Sequence, residues 1–455
     1  MSAALVVPAF SSCAGSERKR TAVVVGAGIA GLSAAYDLRK AGFDVTIMEK
    51  WDFVGGRMRD AQMGPLHLMP HALGVLEANA EMFALADELG IRNQLEGDKE
   101  SDAYVVENGH GQYQTALRFI VDEVQRIPGL SSETARRIPL LQPDLDEIRA
   151  NVNPCLVSTG VQYDDETVAA YYERKLGKDA AREVLDNWID VVLQAWGWPS
   201  AETSRIAILS WLAQQQALTV TPKGGIGVLT RKLGDVMPVR TQTTVRYITP
   251  PDASGRHTIH YLNSRLERLT VTPDVVVCAT EGKFIPELVQ GLSPKQSHFF
   301  RSIDFTKAVG VSFIISDDMV PDKPVGGAYI PAHPDPIKRR VSGWSIQPAG
   351  VGHPDNPATA NISLSRNEAF AWQASGESQP DYCLPFLKSL HPALDESRIR
   401  DAVTRGCDDL IYMPLGYIRT MTDVLREQEK ERRGLYFAGE YMACPSSEHL
   451  AQLAA

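Results

Sequence analysis

Four β-branched or small apolar residues, Ala22 to Val25, open the first clear hydrophobic pattern of the chain. An unbroken apolar run of that length, bounded by polar residues, predicts a strand buried on both faces. From Ile29 to about Ala41 the pattern changes to an alanine- and leucine-rich stretch of helical type. Val45 to Met48 is again a short apolar strand, and it ends on the acid Glu49. Asn79 to Leu89 places Met82, Phe83, Leu85, Ala86 and Leu89 on one helical face, closed by Gly90. Tyr104 to Val106 before the turn Asn108-Gly109 predicts a hairpin. From 116 to about 216 the periodicity is helical with breaks. Helices are predicted at Asp165–Lys175, Ala180–Gln194 and Ile206–Leu218, and a charged, exposed one at Glu133–Arg149. At Thr221 the pattern reverts to mixed elements. A short helix, Val228 to Asp235, precedes strands at Val239–Ile248, His257–Leu262, Arg268–Thr272 and Asp274–Thr280. Helix is expected after Lys283, and strands at Val309–Ile315 and Asn361–Leu364. A helix follows over Tyr382–His391, and a last strand leads through Leu435-Tyr436-Phe437 to Gly439 and Glu440. Pro445-Ser446-Ser447-Glu448 is a good helix opening.

The first strand, helix and second strand enclose a motif, Gly26-x-Gly28-x-x-Gly31. The first glycine suits a tight strand-to-helix turn, the second a close approach of pyrophosphate, the third close packing of helix on strand. The helix start at Ile29 and Ala30 offers N–H groups and the positive dipole end to phosphates. Glu49, about twenty residues on, stands where a carboxylate meets ribose hydroxyls, with Lys50 beside it. The unit is therefore a dinucleotide site. Gly55-Gly56-Arg57 follows it closely.

Composition narrows the partners. The chain has 455 residues, 44% hydrophobic and 22% charged, enough for two or three globular domains. A net charge of −10 without a long basic run argues against nucleic acid. The six cysteines lie far apart with no CxxC pair, and the ten histidines form no HExxH. No metal is expected, and a reducing cytoplasm is the expected location. Residues 1–20 are expected to be a disordered leader, because the apolar run Ala3 to Phe10 has no positive residue ahead of it. No stretch reaches the twenty apolar residues of a membrane span. Peripheral contact through an apolar patch is left open.

Three motifs stand in one order: the N-terminal fingerprint with Gly55-Gly56-Arg57, the strand Asp274–Thr280, and Leu435-Tyr-Phe-Ala-Gly-Glu440. Together they resemble the flavoprotein superfamily of amine oxidases, phytoene-type desaturases and protoporphyrinogen oxidases. The resemblance runs from residue 21 across nearly the whole chain. It implies an α/β fold: a Rossmann-type FAD-binding domain of glutathione-reductase type, with an interleaved α+β substrate-binding domain. Segments 21–100, 222–285 and 430–455 would form the first, and 101–221 with 286–429 the second. The cofactor implied is FAD. Gly26, Gly28 and Gly31, with Ile29 and Ala30, would receive its pyrophosphate, and Glu49 and Lys50 would lie at the adenosine ribose. Gly56 and Arg57 would lie along the phosphates and flavin. Val245 matches the valine whose backbone meets adenine. Gly439 and Glu440 would meet the ribityl-phosphate portion, and the helix opening around Ser447 would face the flavin pyrimidine edge.

The sequence departs from amine oxidases at three places. Gly310 stands where those enzymes carry a lysine near flavin N5, and Lys307 is three residues early. The two aromatics that clamp the amine are replaced by Ser446 and by Asp408 or Asp409. Tyr417 or Trp344 could substitute, although ordinary packing is the plainer expectation for each. Third, the sequence stops at Ala455 where relatives continue the last helix, so that helix is short or the sequence is truncated. Cys407 lies near the position of covalent FAD attachment in some amine oxidases, but its spacing to Pro414-x-Gly416 is off by one, so an inert buried cysteine is expected. His71 resembles a histidine of plant-type phytoene desaturases and is the one catalytic candidate, with a structural histidine as the alternative. The function implied is transfer of a hydride from a C–H bond of a small but bulky organic substrate to flavin N5. An amine or amino-acid oxidase, a redox-neutral flavin isomerase and a non-catalytic binding protein are the alternatives.

Overall fold

The computed structural model describes residues 18–68, 75–76, 80–101, 104–115, 119–153, 156–213, 218–307, 309–323, 325–405, 408–431 and 434–443. Five parallel strands organise the first half of the architecture. They are β1 (Thr21–Val25), β2 (Asp44–Met48), β3 (Val239–Arg240), β4 (Val275–Cys278) and β5 (Leu435–Phe437), in the spatial order β3-β2-β1-β4-β5. β1 pairs in register with β2 on one side, Val24 opposite Ile47, and with β4 on the other, Val24 opposite Val277. The strand order reverses between β1 and β4. In such sheets ligands bind at the carboxyl ends of the strands at that reversal.

Both faces of β1 are buried, as its β-branched run predicts. Ala22 and Val24 point into a core shared with helix α1 (Ile29–Lys40) and with Leu229 and Leu233 of the helix Val228–Val236. Val23 and Val25 point the other way, into a second core that holds Cys278, Phe300, Phe437 and Tyr441. That core continues without a break into the helical block between residues 119 and 213. A three-stranded antiparallel sheet, Thr244–Ile248, Ile259–Leu262 and Arg268–Val271, adds Ile248 and Ile259 to it.

The second large element is a seven-stranded sheet. Its order is Asp401–Arg405, Gly310–Ile314, Thr359–Leu364, Val341–Gln347, Val325–Tyr329, Tyr104–Glu107, Gln112–Thr115. All neighbours are antiparallel except Val325–Tyr329 with Tyr104–Glu107. Period-two alternation gives it two unlike faces. Val311, Phe313, Ala360, Ile362 and Ile346 are covered by Ala369, Phe386 and Leu387 of the helices Arg366–Ser375 and Gln379–Leu390. Ser312, Asn361 and Ser345, directly opposite one another, lie on the other face.

The periodicity reading differs from the structure in several places. Helix Arg205–Leu212 ends early, and Leu218 instead begins the strand Leu218–Pro222, which pairs antiparallel with Gly97–Ser101. The predicted helix Ala180–Gln194 contains a π-helical turn, Leu185–Ile189. Val239–Ile248 is two strands in different sheets. Helix Tyr417–Glu431 was not predicted, although Tyr417, Ile418, Met421 and Val424 line its buried face at helical spacing. Its N-terminus is held by Asp164, which is fully buried. One carboxylate oxygen accepts the Ser204 hydroxyl at 2.6 Å and the Gly416 N–H at 2.9 Å, and the other accepts the Arg419 N–H at 2.8 Å.

Candidate functional site

The glycine turn at the carboxyl end of β1 is the centre of the site. Gly26 has φ +106°, and a Cβ there would lie 2.6 Å from the Ala279 carbonyl oxygen beyond β4. At Gly31 a Cβ would lie 2.0 Å from the Gly26 carbonyl oxygen. Neither position tolerates a side chain. Gly28 is different: a Cβ there would meet nothing within 4 Å. It is the N-cap of α1, and its carbonyl accepts the Leu32 N–H at 2.9 Å. The N–H groups of Ile29, Ala30 and Gly31 therefore stand ahead of the helical ladder and face the open side. No acid lies in this first turn. The turn thus offers unhindered donors and a positive dipole end, the chemistry a pyrophosphate requires.

Glu49 pins the turn. It is 8% exposed, and its two oxygens accept one backbone N–H each, from Ala27 at 2.8 Å and from Trp51 at 2.9 Å. Each oxygen keeps lone-pair capacity for a hydroxyl. Its own carbonyl accepts the Thr243 N–H at 2.8 Å, which brings Val245 of the strand Thr244–Ile248 beside the end of β2. Lys50 is exposed, with Nζ 5.1 Å from the Trp51 ring and 5.4 Å from the Phe284 ring.

Gly55-Gly56-Arg57 folds back onto the turn. The Gly55 N–H donates to the Ala27 carbonyl at 2.8 Å, and Gly56, at φ +55°, would place a Cβ 3.3 Å from the Gly28 Cα. Arg57 Nη1 lies 2.5 Å from Glu440 Oε1, although the two are 383 residues apart. Gly439 cannot carry a side chain, because its Cβ would lie 2.5 Å from the Tyr441 ring. Between these segments the Thr280 hydroxyl is buried with no hydrogen-bond partner. An orphaned buried hydroxyl costs about 1–3 kcal/mol. It fits a site completed by a polar group from a bound cofactor.

Two supporting contacts were not visible in the sequence. Asp60 accepts the N–H groups of Ile226 and Gly227 at 3.0 and 3.2 Å and pairs with Arg231. The Thr230 hydroxyl donates to the Met58 carbonyl at 2.8 Å. Both clamp the loop after Arg57. Their partners lie about 170 residues away, so no local pattern announced them.

The substitute aromatics are accounted for by packing. Tyr417 is fully in the core, its hydroxyl donating to the Tyr441 carbonyl at 2.9 Å. Burial holds its hydroxyl well above the usual phenol range. Trp344 donates to the Tyr329 hydroxyl at 2.7 Å from the helix-covered face of the seven-stranded sheet. Burial pushes the Cys278 thiol up to about 12, so it stays neutral. Gly310 lies on the strand Gly310–Ile314, with no side chain to reach a flavin. The expected residues His71, Cys407, Ser446 and Ser447 lie outside the described residues.

The family model for flavin-containing amine oxidoreductase matches residues 29–449. Protoporphyrinogen oxidase 2, chloroplastic/mitochondrial, of Arabidopsis thaliana is 29% identical over 174 residues, 38% of this chain and 32% of that protein. The L-amino-acid oxidase of Bothrops pauloensis is 25% identical over 309 residues, 62% of this chain and 57% of that protein. The chain thus spans about a third to three fifths of the length of these curated relatives. Among solved structures, a redesigned putrescine oxidase superposes with a TM-score of 0.69 at 17% identity, covering 96% of each chain, which shows the fold. With the glycine turn, the buried Glu49 and the Arg57–Glu440 pair in place, the chain belongs to the flavin-containing amine oxidoreductase family.

Proposed function

We propose that this protein is an FAD-dependent oxidoreductase that removes a hydride from a C–H bond of a bulky organic substrate. The observation that carries it is the convergence of three remote segments on one cradle: Gly26–Gly31 with Glu49, Gly55–Arg57, and Gly439–Glu440. Segments 21–100, 222–285 and 430–455 hold the cofactor in this reading, and 101–221 with 286–429 enclose the substrate. Gly28, Ile29, Ala30 and Gly31 bind the pyrophosphate through backbone N–H groups, with Gly26 shaping the turn. Glu49 takes the ribose hydroxyls, Lys50 flanks them, and the Val245 backbone meets adenine. Gly56 and Arg57 lie along the phosphates, and Arg57 also orients Glu440 at the ribityl chain. Bound FAD supplies the hydride acceptor.

The substrate would lose a hydride to bound FAD and a proton to water, forming C=C or C=N. A carbon–carbon or neutral-nitrogen bond needs no strong side-chain base, which suits Gly310 at the lysine position. The sheet face away from the helices supports the same preference. Its central row is Ser312, Asn361 and Ser345, all uncharged. The Ser312 hydroxyl donates to Asn361 Oδ1 at 2.6 Å, and Asn361 Nδ2 lies 3.3 Å from Ser345 Oγ. Asn361 and Ser345 are half-exposed, while Ser312 is buried. A simple alkylammonium would be served by a carboxylate there; a bulky neutral substrate is served by apolar walls and neutral hydrogen bonds.

Amine or amino-acid oxidation is the second reading, favoured by the L-amino-acid oxidase and putrescine oxidase likenesses. Anaerobic bleaching of the flavin against amines, polyenes and porphyrinogens decides between them. Bleaching by amines alone, with peroxide on re-aeration, would overturn the carbon–carbon reading. A protein that cannot be loaded with FAD would overturn the function altogether. No helix among the described residues is long and apolar enough to cross a membrane. We place the protein in the cytoplasm, with peripheral membrane contact as an alternative that vesicle sedimentation tests.

A further inference from the structure

We propose that His67, His353 and Asp355 form a binding site for a divalent transition-metal ion, of the zinc or nickel class, outside the cofactor cradle. One ligand atom from each of the three lies within 4.8 Å of the other two. His67 belongs to the short strand Leu66–Leu68, in the hairpin that follows the Gly55–Arg57 segment. His353 and Asp355 belong to the loop between the strands Val341–Gln347 and Thr359–Leu364. Two segments remote in sequence thus bring imidazoles together, which no linear spacing could announce.

The positions are held from beneath. Asn356 is 6% exposed, and its side chain grips both segments. Oδ1 accepts the His67 N–H at 2.7 Å, while Nδ2 donates to the His67 carbonyl and to the Val351 carbonyl, each at 3.0 Å. The two histidine rings stack with centroids 4.0 Å apart and planes 19° from parallel. His353 Nδ1 accepts the Asp355 N–H at 3.2 Å, so an ion bound at this nitrogen would replace that hydrogen bond. The same nitrogen lies 3.7 Å from Asp355 Oδ2. Ligands about 2.0–2.2 Å from a tetrahedral zinc stand roughly 3.3–3.5 Å apart. Closing the three atoms onto one ion therefore requires the two imidazoles to turn out of their stack, so that their in-plane lone pairs converge. Two imidazoles and one carboxylate select zinc, nickel or copper over magnesium or calcium. Both histidines are half-buried and Asp355 is exposed, so water completes the coordination. The ion would clip the hairpin to the sheet loop.

The test uses the FAD-loaded protein, stripped with chelator and titrated with zinc chloride and separately with nickel chloride by calorimetry. Bound metal is counted after gel filtration. One equivalent is expected, with a rise in melting temperature. His67→Asn and His353→Asn should each weaken binding at least tenfold and abolish the melting shift, and Asp355→Asn should weaken it less. The exposed His298→Asn should change nothing. Retained flavin absorbance shows that a variant is folded. Absence of saturable binding to wild type, or unchanged binding in the His67→Asn, His353→Asn double variant, would overturn the site.

Discussion

Arg57 and Glu440 form an ion pair, Nη1 to Oε1 at 2.5 Å, that ties the Gly55–Arg57 segment to the turn after β5. The Glu440 side chain is 6% exposed and that of Arg57 32%, so solvent screens the pair only in part. Arg57→Met leaves a buried carboxylate short of its cation. A cost of roughly 1–3 kcal/mol is expected, below the full penalty of a deeply buried pair. Urea denaturation measures it, and the same variant should release flavin on gel filtration. A variant as stable as wild type with full flavin would refute the clasp.

Two glycines of the turn, Gly31 and Gly28, should fail in different ways. Gly31→Ala drives a Cβ to 2.0 Å from the Gly26 carbonyl oxygen and should lower the melting temperature of flavin-free protein. Gly28→Ala places its Cβ in open space. It should leave flavin-free stability nearly unchanged, yet weaken FAD binding at least tenfold. Calorimetric melting of the apoprotein beside an FAD titration separates the two effects.

Glu49 accepts from Ala27 and Trp51, so Glu49→Gln turns one amide NH2 towards a backbone donor. A loss of about 1–3 kcal/mol is expected. Because the same carboxylate is assigned to ribose, FAD affinity should fall as well. If stability falls but affinity does not, the ribose role is wrong.

Asp190 gives the chain a pH signature. Burial raises its pKa to about 6; the Ser200 hydroxyl bond opposes this, and repulsion from Asp186 reinforces it. The unfolded value is about 3.9. The native state therefore binds a proton that the unfolded state has released between those values. Stability falls as pH rises through that window, and the loss is complete above about 6. Asp190→Asn should stabilise the protein at pH 7.5 by on the order of 1–3 kcal/mol, and by much less at pH 4.5. Equal effects at the two pH values would rule out the buried acid as the cause.

Asp164 is a buried link between the helical block and the helix Tyr417–Glu431. Asp164→Ala removes bonds to Ser204, Gly416 and Arg419 together. Each charge-assisted bond is worth roughly 1.5–3 kcal/mol, so substantial loss or failure to fold is expected. Asp164→Asn should recover part of it. If Asp164→Ala melts like wild type, the clamp carries no stability.

The sequence by itself determined the cofactor-binding half. A β-branched run needs burial on both faces, a glycine turn needs room for phosphate, and an acid at a strand end needs a hydroxyl partner. These are local requirements, written within thirty residues of each other from Thr21 to Glu49. Local periodicity also fixed the hairpin Tyr104–Thr115 and the strands around Val275 and Leu435. Tertiary structure alone decided what depends on contacts between remote segments. Arg57 meets Glu440, Asp60 meets Gly227, and Asn356 aligns His67 with His353. It also decided that Leu218 leaves its helix to pair with Ser101. A partner across the sheet outweighs a helical preference that is weak at any one residue. Tyr417 and Trp344 were drawn into packed cores by the same means. A sequence shows that an aromatic is present, but only the fold shows which face it turns to.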